Sequence, residues 1–253
     1  MIEHVARESE IDVGGLRIVD TADSQAAAEQ AMALALAGDV EMLVQGSLGS
    51  DELLAAVAAS ALRTARRLSH VYLLDVPGHP RLLLLTDAVV TVSPDLEAKR
   101  GIIQNAIDLA RAAGIELPRV AVLSASETID TKLASTTDAA VLPKMADRGQ
   151  ITGGLVDGPL TFDQAVSPQA AAGEGIASEV AGRADILVAP DLETGNVLAR
   201  QLTSLAGADA AGVVLGARVP NVLTSGGGGE RVSLASFALA VVQARARRKP
   251  ASG

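Results

Sequence analysis

The residues best placed by type and spacing to do chemistry lie in Val213-Val214-Leu215-Gly216-Ala217-Arg218-Val219-Pro220-Asn221-Val222-Leu223-Thr224-Ser225 and the run Gly226, Gly227, Gly228 and Gly229 behind it. The stretch reads as a buried strand, a turn at 218–220 and a second short apolar strand, after which the glycines lead into a helix starting near Glu230. Glycines between a strand and a helix N-terminus suit an anion. Backbone N–H groups point outward there, no Cβ blocks close approach, and the helix dipole favours negative charge. A turn with no chemical role would look the same in sequence, and the stretch alone leaves both readings open. The spacing after Gly229 does not fit a G-x-G-x-x-G/A fingerprint, and no Lys-Ser or Lys-Thr follows the glycines as a Walker A loop requires.

Four other polar residues share the position of Ser225: Asp87, Ser124, Asp157 and Asp191 each follow a short apolar run that reads as a strand. In open α/β sheets ligands sit at the carboxyl ends of strands, so these residues are candidates for one composite site. Each is equally a strand-end residue that could simply cap the next helix.

The elements that must position them alternate. Asp23-Ser24 caps an Ala-rich helix to Ala37, stopped by Gly38, and 40–45 reads as a short strand. Ser50 caps a helix that runs through Leu53, Val57 and Leu62 to Arg63, Arg66 and Arg67, where the arginines would complement the helix dipole. Strands at 70–76 and 82–85 form a hairpin across Pro77-Gly78-His79-Pro80. Ser93-Pro94 opens a helix from 95 to 113. Strands at 120–123, 155–156, 186–189, 211–215 and 222–224 then alternate with helices near 138–147, 162–172 and 195–206 and a last one to 247. The pattern predicts a parallel sheet between helical layers, with a basic, frayed tail from Arg245.

Composition narrows the function classes. Of 253 residues 49% are hydrophobic but 1% aromatic, so the core is aliphatic; the net charge of −9 argues against a nucleic-acid partner. An anionic small molecule is compatible with that charge where arginines cluster locally. No cysteine is present and only His4, His70 and His79 occur, with no ligand spacing, so no metal site is expected. No apolar run reaches membrane-spanning length and residues 1–10 carry charges, which predicts a soluble, cytoplasmic protein without a membrane partner.

Several segments resemble the phosphate acetyl/butyryltransferases: Thr86-Asp87-Ala88, Leu123-Ser124-Ala125-Ser126-Glu127-Thr128, Lys144-Met145-Ala146-Asp147-Arg148-Gly149-Gln150-Ile151, Val156-Asp157-Gly158-Pro159-Leu160, Val180-Ala181-Gly182, Pro190-Asp191-Leu192-Glu193-Thr194-Gly195-Asn196 and Val214-Leu215-Gly216-Ala217. The likeness is collinear from about Val40 to Val242, and is nearest to the domain of this family found fused behind an enoyl-CoA hydratase. It implies a two-lobed α/β/α fold related to isocitrate and isopropylmalate dehydrogenases, with residues 1–80 plus 213–253 as the first, N-terminally shortened lobe and 81–212 as the second. It also implies a homodimer that transfers an acetyl or butyryl group between CoA and inorganic phosphate, with acyl-CoA and phosphate as its partners, coenzyme A as a substrate and no tightly bound cofactor.

Carried over residue by residue, the resemblance puts Ser225 at the serine of the family's Thr-Ser-Arg-Ala-Asp-Ser loop, facing the reacting group. A family arginine falls on Arg66 or Arg67, and Asp157, Asp191 and Asn196 fall on positions lining the cleft. The catalytic candidates are therefore Ser225, Arg66, Arg67 and Asp157. Asp87, Ser124, Asp191, Asn196 and the glycines 226–229 are candidates for substrate binding. Three positions depart from the pattern: Gly226 stands for the loop arginine, Gln45 for a lysine before Gly46, and Ala55 for an arginine after Leu53-Leu54. The alternative implied is a family member with degraded catalysis that binds phosphate or CoA or serves in assembly.

Overall fold

Local chemistry fixes the first well-defined helix of the computed structural model, which describes residues 2–223 and 229–248. A short helix α1 (Ile2–Glu8) precedes α2 (Ser24–Ala37), where the Asp23 carboxylate accepts the Ala26 N–H and Gly38 closes the end at φ 81°. After β1 (Leu43–Val44), α3 (Ser50–Ala59) begins with Gly49 at the N-cap, so Ser50 is the first helical residue rather than the cap. The hairpin is present as β2 (Ser69–Asp75) and β3 (Leu83–Thr86), antiparallel across the turn at Gly78. Asp95, not Ser93, caps α4 (Leu96–Ala112): its carboxylate accepts the Ala98 N–H at 2.8 Å.

The remaining order is β4 (Arg119–Leu123), α5 (Ala134–Asp147), β5 (Leu155–Leu160), α6 (Phe162–Val166), α7 (Pro168–Gly173), β6 (Ile186–Val188), α8 (Leu192–Ser204), β7 (Asp209–Leu215), β8 (Asn221–Val222) and α9 (Glu230–Arg248). The helix expected over 162–172 is two short ones, because Pro168 starts a new helix with Ser167 as its cap.

All strands join one sheet in the order β1-β8-β7-β2-β3-β6-β4-β5. It is mixed rather than purely parallel: β2 runs antiparallel to both β3 and β7, and β7 antiparallel to β8, while the β3, β6, β4, β5 half is parallel. Both faces are covered, which explains the continuous apolar strands. Leu84, Val120, Val122, Ile186 and Val188 point to the face under α4, α5 and α9, and their neighbours Leu83, Leu85, Ala121, Leu123 and Leu187 to the face under α6, α7 and α8. A third cluster, with Met32, Leu53, Val57, Leu62 and Val219, lies between α2, α3 and the turn after β7. The lobe boundary expected at 80 falls in the β2–β3 turn, and the one at 212 inside β7. Among the described residues no helix is long and apolar enough to cross a membrane.

The tail is not frayed where it is described. Arg247 donates to the carbonyls of Ala217 (2.5 Å) and Arg218 (2.9 Å), and Arg248 pairs with Glu41.

One buried group carries a pH prediction. Burial pushes the His70 imidazole down from 6.5 to about 3, and its Nδ1 has no hydrogen-bond partner among the described residues. Between those two values the unfolded chain takes up a proton that the folded chain refuses. The stability this group contributes is therefore complete above pH 6.5 and is lost as pH falls towards 3, by about 2 kcal/mol at pH 5. Asp87 has the opposite sign, since burial raises its carboxyl pKa. Urea unfolding of the wild type and His70→Leu at pH 7 and pH 5 separates them: the wild type loses its margin and the variant keeps most of it. Equal losses in both would refute the assignment.

Candidate active site

The site is built on a segment that leaves regular structure early. α3 ends at Ala59, although Ala, Leu and Arg beyond it are all good helix formers. Ser60 turns the chain: its hydroxyl donates to Val57 O at 2.9 Å and accepts the Leu62 N–H at 3.1 Å. Leu62 then drops fully into the third core cluster, and its carbonyl takes the Arg218 N–H at 2.8 Å. Thr64 Oγ1 donates to Gly216 O at 2.5 Å and accepts the Arg66 N–H at 3.1 Å. Arg63, Arg66 and Arg67 are thus not in the last turn of a helix and do not complement its dipole. They stand on an irregular strip fixed to the chain after β7.

The strip forms one wall of a cleft of about 1170 Å³, together with Leu54, Ala55, Ala58 and Gly216. The opposite wall is the turn at 90–93, the exposed side of α4 (Glu97, Arg100, Gly101, Gln104), and residues 149, 150 and 152. Arg66 is paired with Asp108 on α4, and burial lowers the pKa of neighbouring Arg247, an effect that Asp108 opposes and Arg66 reinforces. Arg100 is paired with Glu97 and reaches Gln150 O. Among the described residues no carboxylate pairs with Arg63 or Arg67, so these two bring uncompensated positive charge to the cleft.

Backbone geometry holds Arg67 closely. Gly216 has φ 98°, and a Cβ built on it would overlap the Arg67 carbonyl. Asn105 Nδ2 donates to that same carbonyl at 3.0 Å and to Ser69 Oγ at 2.9 Å.

The other sequence candidates are placed as follows. Asp87 is buried, its Oδ1 accepting the N–H groups of His70, Val89 and Val90 and its Oδ2 that of Thr91, at 3.0–3.2 Å. Burial pushes its carboxyl pKa up, while those four N–H bonds pull it down. Asp87 therefore shapes the turn that lines the cleft but does not itself face it. Asp191 caps α8 through the Thr194 N–H at 2.8 Å. Asn196 donates to Ala88 O and accepts from Arg200, docking α8 on the chain after β3. Ser124 bonds the Ser135 hydroxyl at 2.9 Å. Asp157 accepts the Gly158 N–H and borders a separate hollow of about 410 Å³ with Asp147 and Glu179, so it is not brought to the arginine cleft. Gln45 stitches the turn after β1, donating to Leu48 O and accepting from Ser50, and does not line the cleft. Ser225, Gly226, Gly227 and Gly228 lie outside the described residues; Gly229 is exposed and its carbonyl accepts the Val232 N–H in the first turn of α9.

The sequence reading missed Arg63, Thr64, Arg100 and Gln104 as cleft residues, and Asp108 as the partner of Arg66. The i,i+3 pair Glu97–Arg100 and the i,i+4 pair Gln104–Asp108 were legible as one polar face of α4. Among the described residues no group of three or more His, Asp or Glu side chains could hold a metal ion.

The sequence pattern of the family described as "Phosphate acetyl/butaryl transferase" matches residues 4–241. A phosphate acetyltransferase of Rhizobium meliloti is 57% identical over 249 residues, covering 98% of this chain and 79% of that protein. A phosphate acetyltransferase of Rickettsia felis (strain ATCC VR-1525 / URRWXCal2) is 50% identical over 227 residues, 88% of this chain and 65% of that protein. Among solved structures, a branched-chain phosphotransacylase from Enterococcus faecalis V583 shares the fold with a TM-score of 0.84 and 30% identity, over 92% of this chain and 84% of that one. The mixed sheet with helices on both faces is the dehydrogenase-like fold of such phosphotransacylases.

Proposed function

The chain belongs to the phosphate acetyl/butyryltransferase family, and from that premise we propose that the arginine cleft is where it moves an acetyl or butyryl group between CoA and inorganic phosphate. The CoA thiol gives up its proton, which the departing phosphate takes, and the thiolate attacks the carbonyl carbon of the acyl phosphate. Negative charge moves onto the carbonyl oxygen as the C–S bond forms; the carbonyl is restored as the C–O bond to phosphate breaks and phosphate leaves with that electron pair. No covalent enzyme intermediate is needed, which agrees with the absence of cysteine.

The observation that carries the placement is the contrast between the two adjacent arginines. Arg66 is neutralised by Asp108, whereas Arg67, with Arg63, has no carboxylate partner among the described residues. We therefore assign Arg67 to the phosphate oxygens and give Arg66 the task of tying the strip to α4. Ala55, where the family commonly has an arginine, lines the same cleft, so that cation is lost from this wall. In the same reading Ser225 faces the reacting carbonyl and Gly226 stands where the family's loop arginine would polarise it. Catalysis is then slower than with that arginine present, or rests on the N–H groups of the glycine run. Asp157 has no part in this assignment.

Phosphate-dependent release of free thiol from acetyl-CoA and butyryl-CoA tests the reaction. Arg67→Ala is expected to lower kcat/KM for phosphate about tenfold, the worth of one charge-assisted contact, with Arg66→Ala changing it less. Equal activity of Arg67→Ala and the wild type would overturn the assignment.

The division into lobes 1–80 plus 213–253 and 81–212, the cytoplasmic location and the homodimer belong to this proposal as well. An exposed apolar side of α8 and its surroundings, with Val197 64% and Leu205 82% exposed, supports pairing across a two-fold axis. Light scattering at micromolar concentration should give twice the mass of 25.6 kDa; a monomer mass would refute the dimer.

A further inference from the structure

We infer that Asn105 is a positioning residue for phosphate binding, acting through the backbone of Arg67; this rests on the assignment of Arg67 to phosphate. Asn105 sits in the middle of α4 on its buried face, 1% exposed, beside the core residues Ile102, Ile103 and Ala106. That is an unfavourable place for an amide. Asparagine is a weak helix former, and a buried polar side chain costs stability unless its groups are all paired. Here they are not: Oδ1 has no partner among the described residues. Both bonds of the side chain are made by Nδ2, one to Ser69 Oγ and one to the carbonyl of Arg67.

The carbonyl matters because the other ties of the strip act at its start, through Leu62 O and Thr64, or through the side chain of Arg66, and not at the Arg67 peptide itself. Thr64 anchors one end to Gly216 and strand β2 begins at Ser69. Between them, Asn105 supplies the only donor to the Arg67 carbonyl among the described residues. Gly216 closes on the same carbonyl from the other side, where no side chain would fit. The peptide of Arg67 is thus gripped from α4 and from the end of β7, and its Cα points a long, otherwise unpartnered cation into the cleft. A site that must meet a phosphate with one flexible arginine gains by fixing the root of that side chain before binding. An apolar residue at 105 would satisfy the core at least as well, but it would release the strip.

The test is titration calorimetry with inorganic phosphate on the wild type, Asn105→Leu, Arg67→Ala and the double variant, with thermal unfolding alongside. Asn105→Leu keeps the branching at Cγ, with methyl groups bulkier than the amide's oxygen and nitrogen, and removes both bonds. Phosphate Kd is expected to rise several-fold in it, with Tm and the Kd for CoA little changed. The double variant should bind phosphate no more weakly than Arg67→Ala alone. Should Asn105→Leu fail to fold, Asn105→Ala removes the same bonds without adding volume and is read in the same way. A wild-type phosphate Kd in Arg67→Ala would overturn the assignment of Arg67 itself. Weakened binding in Arg67→Ala but a wild-type Kd in the Asn105 variant would overturn the positioning role alone. So would additive losses in the double variant, or a lowered Tm with phosphate affinity intact, which is what a purely structural asparagine would give.

Discussion

Replacing Gly226 with Arg and Gly228 with Asp is expected to raise the rate of acyl transfer about a hundredfold. On the proposed match to the family loop Thr-Ser-Arg-Ala-Asp-Ser, Gly226 and Gly228 take the places of its arginine and aspartate. In the transition state the acyl carbonyl oxygen becomes an oxyanion, and a cation beside it stabilises that charge more than it stabilises the substrate. One such contact is worth on the order of 3 kcal/mol, and each 1.4 kcal/mol is a factor of ten in rate. The gain should appear in kcat, because the oxyanion exists only as the reaction proceeds. A slower double variant would mean that the glycine N–H groups already hold the anion and that the arginine crowds them. An unchanged rate would place the loop outside the site and Ser225 with it. Single-turnover thiol release with acetyl-CoA and phosphate separates the three results.

Gly216→Ala is the second change of large expected effect, and it acts on stability and activity together. At φ 98° an alanine is strained wherever it stands, at a cost of about 1–3 kcal/mol. Gly38 is also left-handed, at φ 81°, but a Cβ there meets nothing within 4 Å. Gly216 faces the Arg67 carbonyl with no room for the added atom, so the strip or the turn after β7 must move. Gly38→Ala should therefore cost only the conformational share, about 1 kcal/mol, while Gly216→Ala should cost about 3 kcal/mol or more. For a chain of this size that is a fall in Tm of roughly 6–12 °C. The displaced strip would carry Arg63 and Arg67 with it, so phosphate-dependent thiol release should fall further than the unfolded fraction explains. A Gly216→Ala protein as stable as Gly38→Ala would show that the contact yields at little cost.

Several features were determined by the sequence itself, because their causes are local. Asp23 and Gly38 bracket α2 since a carboxylate can satisfy the first free N–H groups and glycine accepts the left-handed cap. The β2–β3 hairpin follows from two apolar runs flanking a Pro-Gly turn, and α9 begins at Glu230 directly after the glycines. The collinear motifs carried the family, and with it the fold, without any coordinate. What the tertiary structure alone decided involves partners far along the chain. Ser60 turns the chain after α3, but a lone serine does not mark a helix end in sequence; the break is held because Leu62 is drawn into a core and Thr64 bonds Gly216, 152 residues away. Asp95 rather than Ser93 caps α4, a choice between two good caps that local propensity leaves undecided. Adjacent arginines are indistinguishable as letters, yet Asp108 neutralises Arg66 and leaves Arg67 facing the cleft. Asp87 and Asp191 look like site carboxylates in sequence, and in the fold their oxygens are taken up by backbone N–H groups. Charge and hydrogen-bond capacity are written in the sequence, but which partner uses them is fixed only when distant segments are packed together.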